Sequence, residues 1–238
     1  MAGTSGPEYP NQQLKSVSLE TYFKGKLDVV IRLGEVQARF SERLSELYVP
    51  NVQAGEALAL RPYQLRPPDQ SETLAVAVNQ ATYASFRYPG YTAFIAQATT
   101  FLEPTLAILG IDRLERVVYR YENEIALSRD ENQEIPVQEI VCVAAVDVEG
   151  VLGVRALDVS WTRRWLHGTV GAKVVVEAAP HLGIDVLRIS IFAEHNPAGA
   201  AASLRDYADS VHALARSVFE SMITAEFRTF LRGGQADA

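Results

Sequence analysis

The chain has 238 residues, of which 48% are hydrophobic and 21% charged, with a net charge of −7. A polypeptide of this size and composition buries a substantial core without disulfides or metals, and its single cysteine excludes an intrachain disulfide and a zinc knuckle. The acidic balance repels a phosphate backbone over long range and sets the expectation of no nucleic-acid partner.

Residues 1–14 are rich in Gly, Pro, Asn and Gln, a composition expected of a disordered tail. The start of the chain has neither a basic region nor an apolar run of secretory type, and no stretch reaches the apolar length of a membrane span. The expectation is a cytoplasmic protein with no membrane association. Alternation then begins: Val17, Leu19, Thr21 and Phe23 face one way, and Ser16, Ser18, Glu20 and Tyr22 the other. That period of two predicts a strand with one buried face. From about Asp28, the residues Val29, Leu33, Val36, Phe40, Leu44 and Leu47 follow helical spacing, and Pro50 ends the run. Two strands are expected next, one holding Leu58 and Leu60 and one from Leu74 to Val78, separated by the turn Arg66-Pro67-Pro68-Asp69-Gln70. A second helix is predicted from about Thr92 to Leu109, stopped by Gly110 and kinked or divided at Pro104. A strand from Leu114 to Leu127 follows, with Val117, Tyr119, Tyr121 and Ile125 on its buried side.

The polar run 128–136 reads as a hinge between halves of about 15–128 and 137–232. Four strands are then expected: Ile140–Val148, Val154–Trp161, Val170–Ala178 and Val186–His195, in an antiparallel meander. Cys142 in the first of these is expected to be a buried, inert thiol. The chain closes on a long helix that opens with Ser203 and Asp206 and carries the apolar stripe Leu204, Tyr207, Val211, Leu214, Val218, Phe219, Ile223, Phe227 and Phe230. Unbroken, it would run for about 40 Å. Residues 233–238 have the composition of a second disordered tail. The fold class is therefore α+β: a split-βαβ half of ferredoxin-like order, a four-strand antiparallel meander and a long C-terminal helix, forming one compact unit over 15–232. Whether the halves share one sheet is left open by the pattern.

Three segments stand out: Tyr88-Pro89-Gly90-Tyr91-Thr92-Ala93-Phe94, Arg116-Val117-Val118-Tyr119-Arg120-Tyr121-Glu122-Asn123-Glu124-Ile125, and Val211-His212 with Phe219-Glu220-Ser221-Met222-Ile223-Thr224. Together they resemble a sporadically distributed family of bacterial conserved hypothetical proteins of about this length, over roughly residues 15–230. Tyr91 stands where that family usually has Trp. The resemblance implies a bacterial origin and an α+β fold and transfers no mechanism; a sporadic distribution fits accessory roles such as defence or toxin control.

Arg120 and Asn123 form the most distinctive pair, readable either as a structural tie to a neighbouring strand or as contacts to a partner. Trp161-Thr162-Arg163-Arg164-Trp165-Leu166-His167 is the basic and aromatic cluster, readable as a turn whose tryptophans seal the sheet end or as a docking surface. His195 is expected to cap a loop, and Glu122 and Glu124 to sit on a solvated strand edge. No His spacing suits a metal, and neither a phosphate loop nor a nucleophile elbow occurs. No catalytic residue, cofactor or metal is predicted. The leading expectation is a non-enzymatic protein that binds another protein or itself as a homodimer through Arg120, Asn123, Trp161, Arg164 and Trp165. The alternative is a small-molecule binder or enzyme with a cavity between the sheet and the C-terminal helix.

Overall fold

The computed structural model describes residues 9, 13–51, 61–127, 137–142, 159–181, 184–197 and 203–233. Within these, the elements run β1 (Leu14–Tyr22), α1 (Asp28–Phe40), β2 (Glu46–Tyr48), β3 (Tyr63–Arg66), β4 (Glu72–Ala77), β5 (Gln80–Ser85), α2 (Tyr91–Ile108), β6 (Arg116–Leu127), α3 (Val137–Ile140), β7 (Val159–His167), β8 (Val170–His181), β9 (Ile184–His195), α4 (Leu204–Met222) and α5 (Ala225–Leu231). All nine strands belong to one antiparallel sheet in the order β2-β3-β4-β5-β1-β6-β9-β8-β7. The halves are therefore joined through β6 and β9, which pair along Val117–Leu127.

Alternation sorts every strand between two faces. Leu19, Tyr83, Leu74, Tyr119 and Ala193 align across five strands on the covered face, where all are buried. Onto it pack α1 against β4, α2 against β5, and α4 against β6, β8 and β9. Tyr83, Phe94, Phe101 and Tyr119 form the aromatic centre of the core, with Tyr83 stacked on Phe101 at 5.1 Å. Each such side chain contributes about 1.5–3 kcal/mol by leaving water. One acid lies in this core: Glu72 accepts from Arg43 Nε and Nη2 at 2.6 and 2.8 Å, and from the Tyr83 hydroxyl at 2.5 Å. The second face carries Glu20, Arg116, Arg120, Glu122, Glu124, Lys173, Arg188 and Glu194.

Helix α4 begins as its sequence requires. Ser203 accepts from the Asp206 amide while the Asp206 carboxylate accepts from the Ser203 amide, a complete capping box. Leu204, Ala208, Val211 and Ala215 form its buried stripe, and the two alanines let the helix lie close to the sheet.

Several expectations are corrected. The strand order gains β2 and β5, so more strands precede α2 than a simple split-βαβ unit has. The supposed end of the first helix is β2: α1 stops at Phe40, and Leu47, 43% exposed, sits in the strand and not on a helical stripe. β5 follows β4 through the tight turn Val78-Asn79, which has no Gly or Pro to announce it. Helix α2 is continuous through Pro104, so it is not two helices. Ile140 closes a helical turn and not a strand, and Val141 forms an isolated bridge to Ile223. The described meander is therefore β7-β8-β9. The C-terminal helix is broken at Ile223, which is extended; Thr224 caps α5 by accepting from the Phe227 amide, and its hydroxyl donates to the Glu139 carbonyl at 2.5 Å. Cys142 is exposed, not buried. Glu122 and Glu124 lie on a central strand and not on an edge. Residues Ala179 to His181 extend β8 instead of turning. The expected strand at Leu58 and Leu60, the hinge 128–136 and most of both tails lie outside the described residues. Among the described residues no helix is long and apolar enough to cross a membrane.

Candidate functional site

Three of the five residues singled out from sequence lie on β7, the last strand of the sheet. The segment Trp161–His167 is a strand and not a turn, because the turn lies just beyond it: Gly168, at φ 58°, and Thr169 link β7 to β8 as a two-residue hairpin. Alternation places Trp161, Arg163 and Trp165 on the covered face and Thr162, Arg164 and Leu166 on the other. Trp161 packs against the core with its indole N–H buried and without a hydrogen-bond partner, and the Arg163 guanidinium lies 5.6 Å from its ring. Further along, Trp165 and Leu166 are 50% and 63% exposed. Among the described residues nothing pairs with the outer edge of β7.

A clamp holds this edge in place. Arg164 donates to Glu194 Oε1 at 2.7 Å, and Arg116 reaches the other carboxylate oxygen at 3.5 Å. Glu194 belongs to β9, so it must cross β8 to meet Arg164. It does so over Gly171, where an added Cβ would lie 2.9 Å from both Glu194 Oε1 and the Trp165 carbonyl. Gly171 is therefore required by close approach, not by backbone conformation.

Arg120 and Asn123 do not join this cluster or each other. They occupy opposite faces of β6. Arg120 donates to Glu122 at 3.0 Å and lies 4.9 Å over the Phe192 ring, whose flank also receives Lys173 at 5.3 Å. Nearby, Arg188 and Lys15 converge on Glu124, whose carboxyl is held below the usual range first by the Lys15 hydrogen bond. Asn123 is buried and its amide donates to the Ile189 carbonyl at 3.5 Å, a long tie to β9.

A second constellation was not singled out from sequence. The Tyr91 ring stacks on His212 at 3.6 Å and 7°, while Tyr119 and Tyr121 approach the same imidazole edgewise at 5.3 and 6.1 Å. Tyr88 meets Tyr121 at 6.2 Å, and Tyr91 donates to the Asp209 carboxylate at 2.5 Å. Burial pushes the imidazole down to about 4, assisted by Arg216 and opposed by Asp209. Burial likewise raises Tyr119 and Tyr121 well above the ordinary phenol range. The signal for this cluster was present in the motifs: Tyr88 and Tyr91 come from the first, Tyr119 and Tyr121 from the second, His212 from the third, and the fold brings all three together between α2, β6 and α4. The remainder of the third motif is architectural, since Glu220 accepts from Tyr9 and from Arg228 Nε. The His195 ring packs on Tyr207 at 5.1 Å, and most of the loop that follows it lies outside the described residues.

Two surface hollows of about 650 and 530 Å³ lie between Glu35 and Ile108 and between Phe23 and Pro197. Neither is lined by α4. Among the described residues no group of three or more His, Cys, Asp or Glu is placed to hold a metal ion. No family model, no curated protein and no solved structure matches the chain.

Proposed function

We propose that this protein is a non-enzymatic binding protein that receives an extended segment of another protein on the outer edge of β7. The observation that carries the reading is the edge itself: a nine-residue strand with no outer neighbour among the described residues, displaying Trp165 and Leu166 to solvent. An unpaired edge offers a row of backbone donors and acceptors, and exposed side chains on alternate faces supply selectivity. The chemistry of β7 specifies the partner. It carries Arg163, Arg164 and His167 and no acid. Antiparallel pairing of two copies about the centre of β7 sets arginine against arginine, which is destabilising. A strand of alternating acidic and apolar residues meets no such opposition, so a different protein is favoured over a second copy. The scaffold fits this role. We read β1-α1-β4-β5-α2-β6 as a split-βαβ unit, extended at one end by β2 and β3 and at the other by β9, β8 and β7, and the resemblance to a family of bacterial conserved hypothetical proteins accompanies that reading.

Selection of short peptides displayed on phage against the immobilised protein tests it. Enrichment of extended sequences alternating apolar residues with Asp or Glu is expected. Arg163→Glu should weaken the selected peptides by about tenfold or more, as reversal of one interfacial charge costs about 2 kcal/mol or more. Recovery of peptides without acidic residues, or equal binding to Arg163→Glu, would refute the assignment.

A further inference from the structure

The helices that cover the sheet show solvent two kinds of surface. α4 exposes the charged residues Arg205, Asp206 and Asp209, whereas α2 carries a single charge, Glu103, and exposes Ala93, Ala96, Thr100 and Ala107. Beside α2, α1 exposes Leu27 at its N-cap, then Val30 and Ile31. Ile31 and Leu27 are the two most exposed large apolar side chains among the described residues. Helical spacing puts Leu27, Ile31, Gly34 and Ala38 on one stripe, opposite the buried Val29, Val36 and Phe40. An added Cβ at Gly34 would meet nothing within 4 Å, so packing within the chain does not call for a glycine, a residue that destabilises a helix interior.

This stripe is complementary to itself. Two large side chains, Leu27 and Ile31, are followed by two small residues, Gly34 and Ala38. When two α1 helices run antiparallel and cross at Gly34, Ile31 of each copy falls between Gly34 and Ala38 of the other. Leu27 then falls beyond Ala38 of the second copy, over the hollow that Ala38, Ser41 and Glu42 help to line. Charge follows the same rule. Asp28, Arg32, Glu35 and Arg39 occupy one flank of the stripe, and the antiparallel arrangement sets Asp28 beside Arg39 of the second copy and Arg32 beside its Glu35. The acids Asp28, Glu35 and Glu42 around the stripe oppose an anionic lipid surface. We propose that the outer face of α1, continued by α2, is the interface of a homodimer in which two α1 helices pack antiparallel across Gly34. This assignment does not depend on β7: α1 packs on β4, towards the other end of the sheet, so the dimer leaves both β7 edges open.

Sedimentation equilibrium of the full chain at micromolar concentration tests the association, and about twice the 26.2 kDa of one chain is expected. Ile31→Arg should raise the dissociation constant of the dimer by about thirtyfold or more, the loss expected of a central anchor, without changing the circular dichroism of the fold. Disulfide cross-linking in a Cys142→Ser background reads the orientation. Gly34→Cys chains should link to one another. Leu27→Cys chains should link to Ala38→Cys chains and not to themselves, since in the antiparallel pair the two copies of position 27 lie about 20 Å apart along the axis. A monomer at that concentration, unchanged association in Ile31→Arg, or Leu27→Cys chains that link to themselves in preference to Ala38→Cys would each overturn the proposal.

Discussion

His212 shows how one residue records the packing around it. Stacked on Tyr91 and flanked by Tyr119 and Tyr121, its ring has lost the water that would stabilise a positive charge, and Arg216 adds a like charge from the same helix. Asp209 opposes this but is engaged by Tyr91. The value near 4 lies below the ordinary 6.5, so between those limits the unfolded chain binds the extra proton and stability falls as the pH falls. The full shift corresponds to about 3 kcal/mol, and partial exposure of the ring reduces that to about 1–2 kcal/mol. His212→Gln should therefore lose less stability than wild type between neutral pH and about pH 5 in urea unfolding. Equal losses in the two proteins would show that the imidazole does not carry the dependence.

At the scale of elements, a side-chain contact that spans a strand reinforces the ladder of β7 with β8. Glu194 reaches Arg164 only because Gly171 leaves room above β8. Gly171→Ala places a methyl where the carboxylate and a backbone oxygen already sit, so Glu194 must withdraw or the strands must part. A loss of about 1–3 kcal/mol is expected, as for other overpacked positions, together with faster amide exchange along 159–167. A neutral or stabilising effect would mean that the glycine is incidental.

The same scale shows what the sequence disclosed. Period-two alternation located β1, β6, β8 and β9, and the Ser203-Asp206 spacing located the start of α4, because each signal is local and each face has one environment. β2 and β5 were hidden for physical reasons. Leu44 and Leu47 continue a helical spacing by coincidence, since Leu44 fills the core after α1 has ended and Leu47 does not. The turn into β5 is formed by Val78-Asn79, with no glycine. Thr224 supplied a cap inside an apolar stripe that by itself reads as continuous helix. The site was only partly legible. Strand β7 was marked by its tryptophans and arginines, although its form was mistaken. The Tyr-His cluster was visible as three separate motifs whose meeting depends on how α2 and α4 cross β6, which no local pattern encodes. Alternation alone already puts Arg120 on the polar face of β6 and Asn123 on the buried one, and the pleat keeps them there, so the two do not form one surface.

At the scale of the molecule, one sheet is covered on one face by helices and, among the described residues, ends in two unlike edges. At one end β2 is three residues long, and at the other β7 is nine. Exposed apolar side chains also occur at α1, where Leu27, just before the helix, and Ile31 within it are 76% and 81% exposed, but the body of a helix offers no unpaired backbone. The account rests on β7 being the surface that another chain completes. Hydrogen exchange of the full protein, alone and with a peptide selected against it, measures this directly. The amides of 159–167 should exchange readily in the free protein and become protected when the peptide binds. Protection confined to α1, or a bound peptide that leaves 159–167 unchanged, would contradict it.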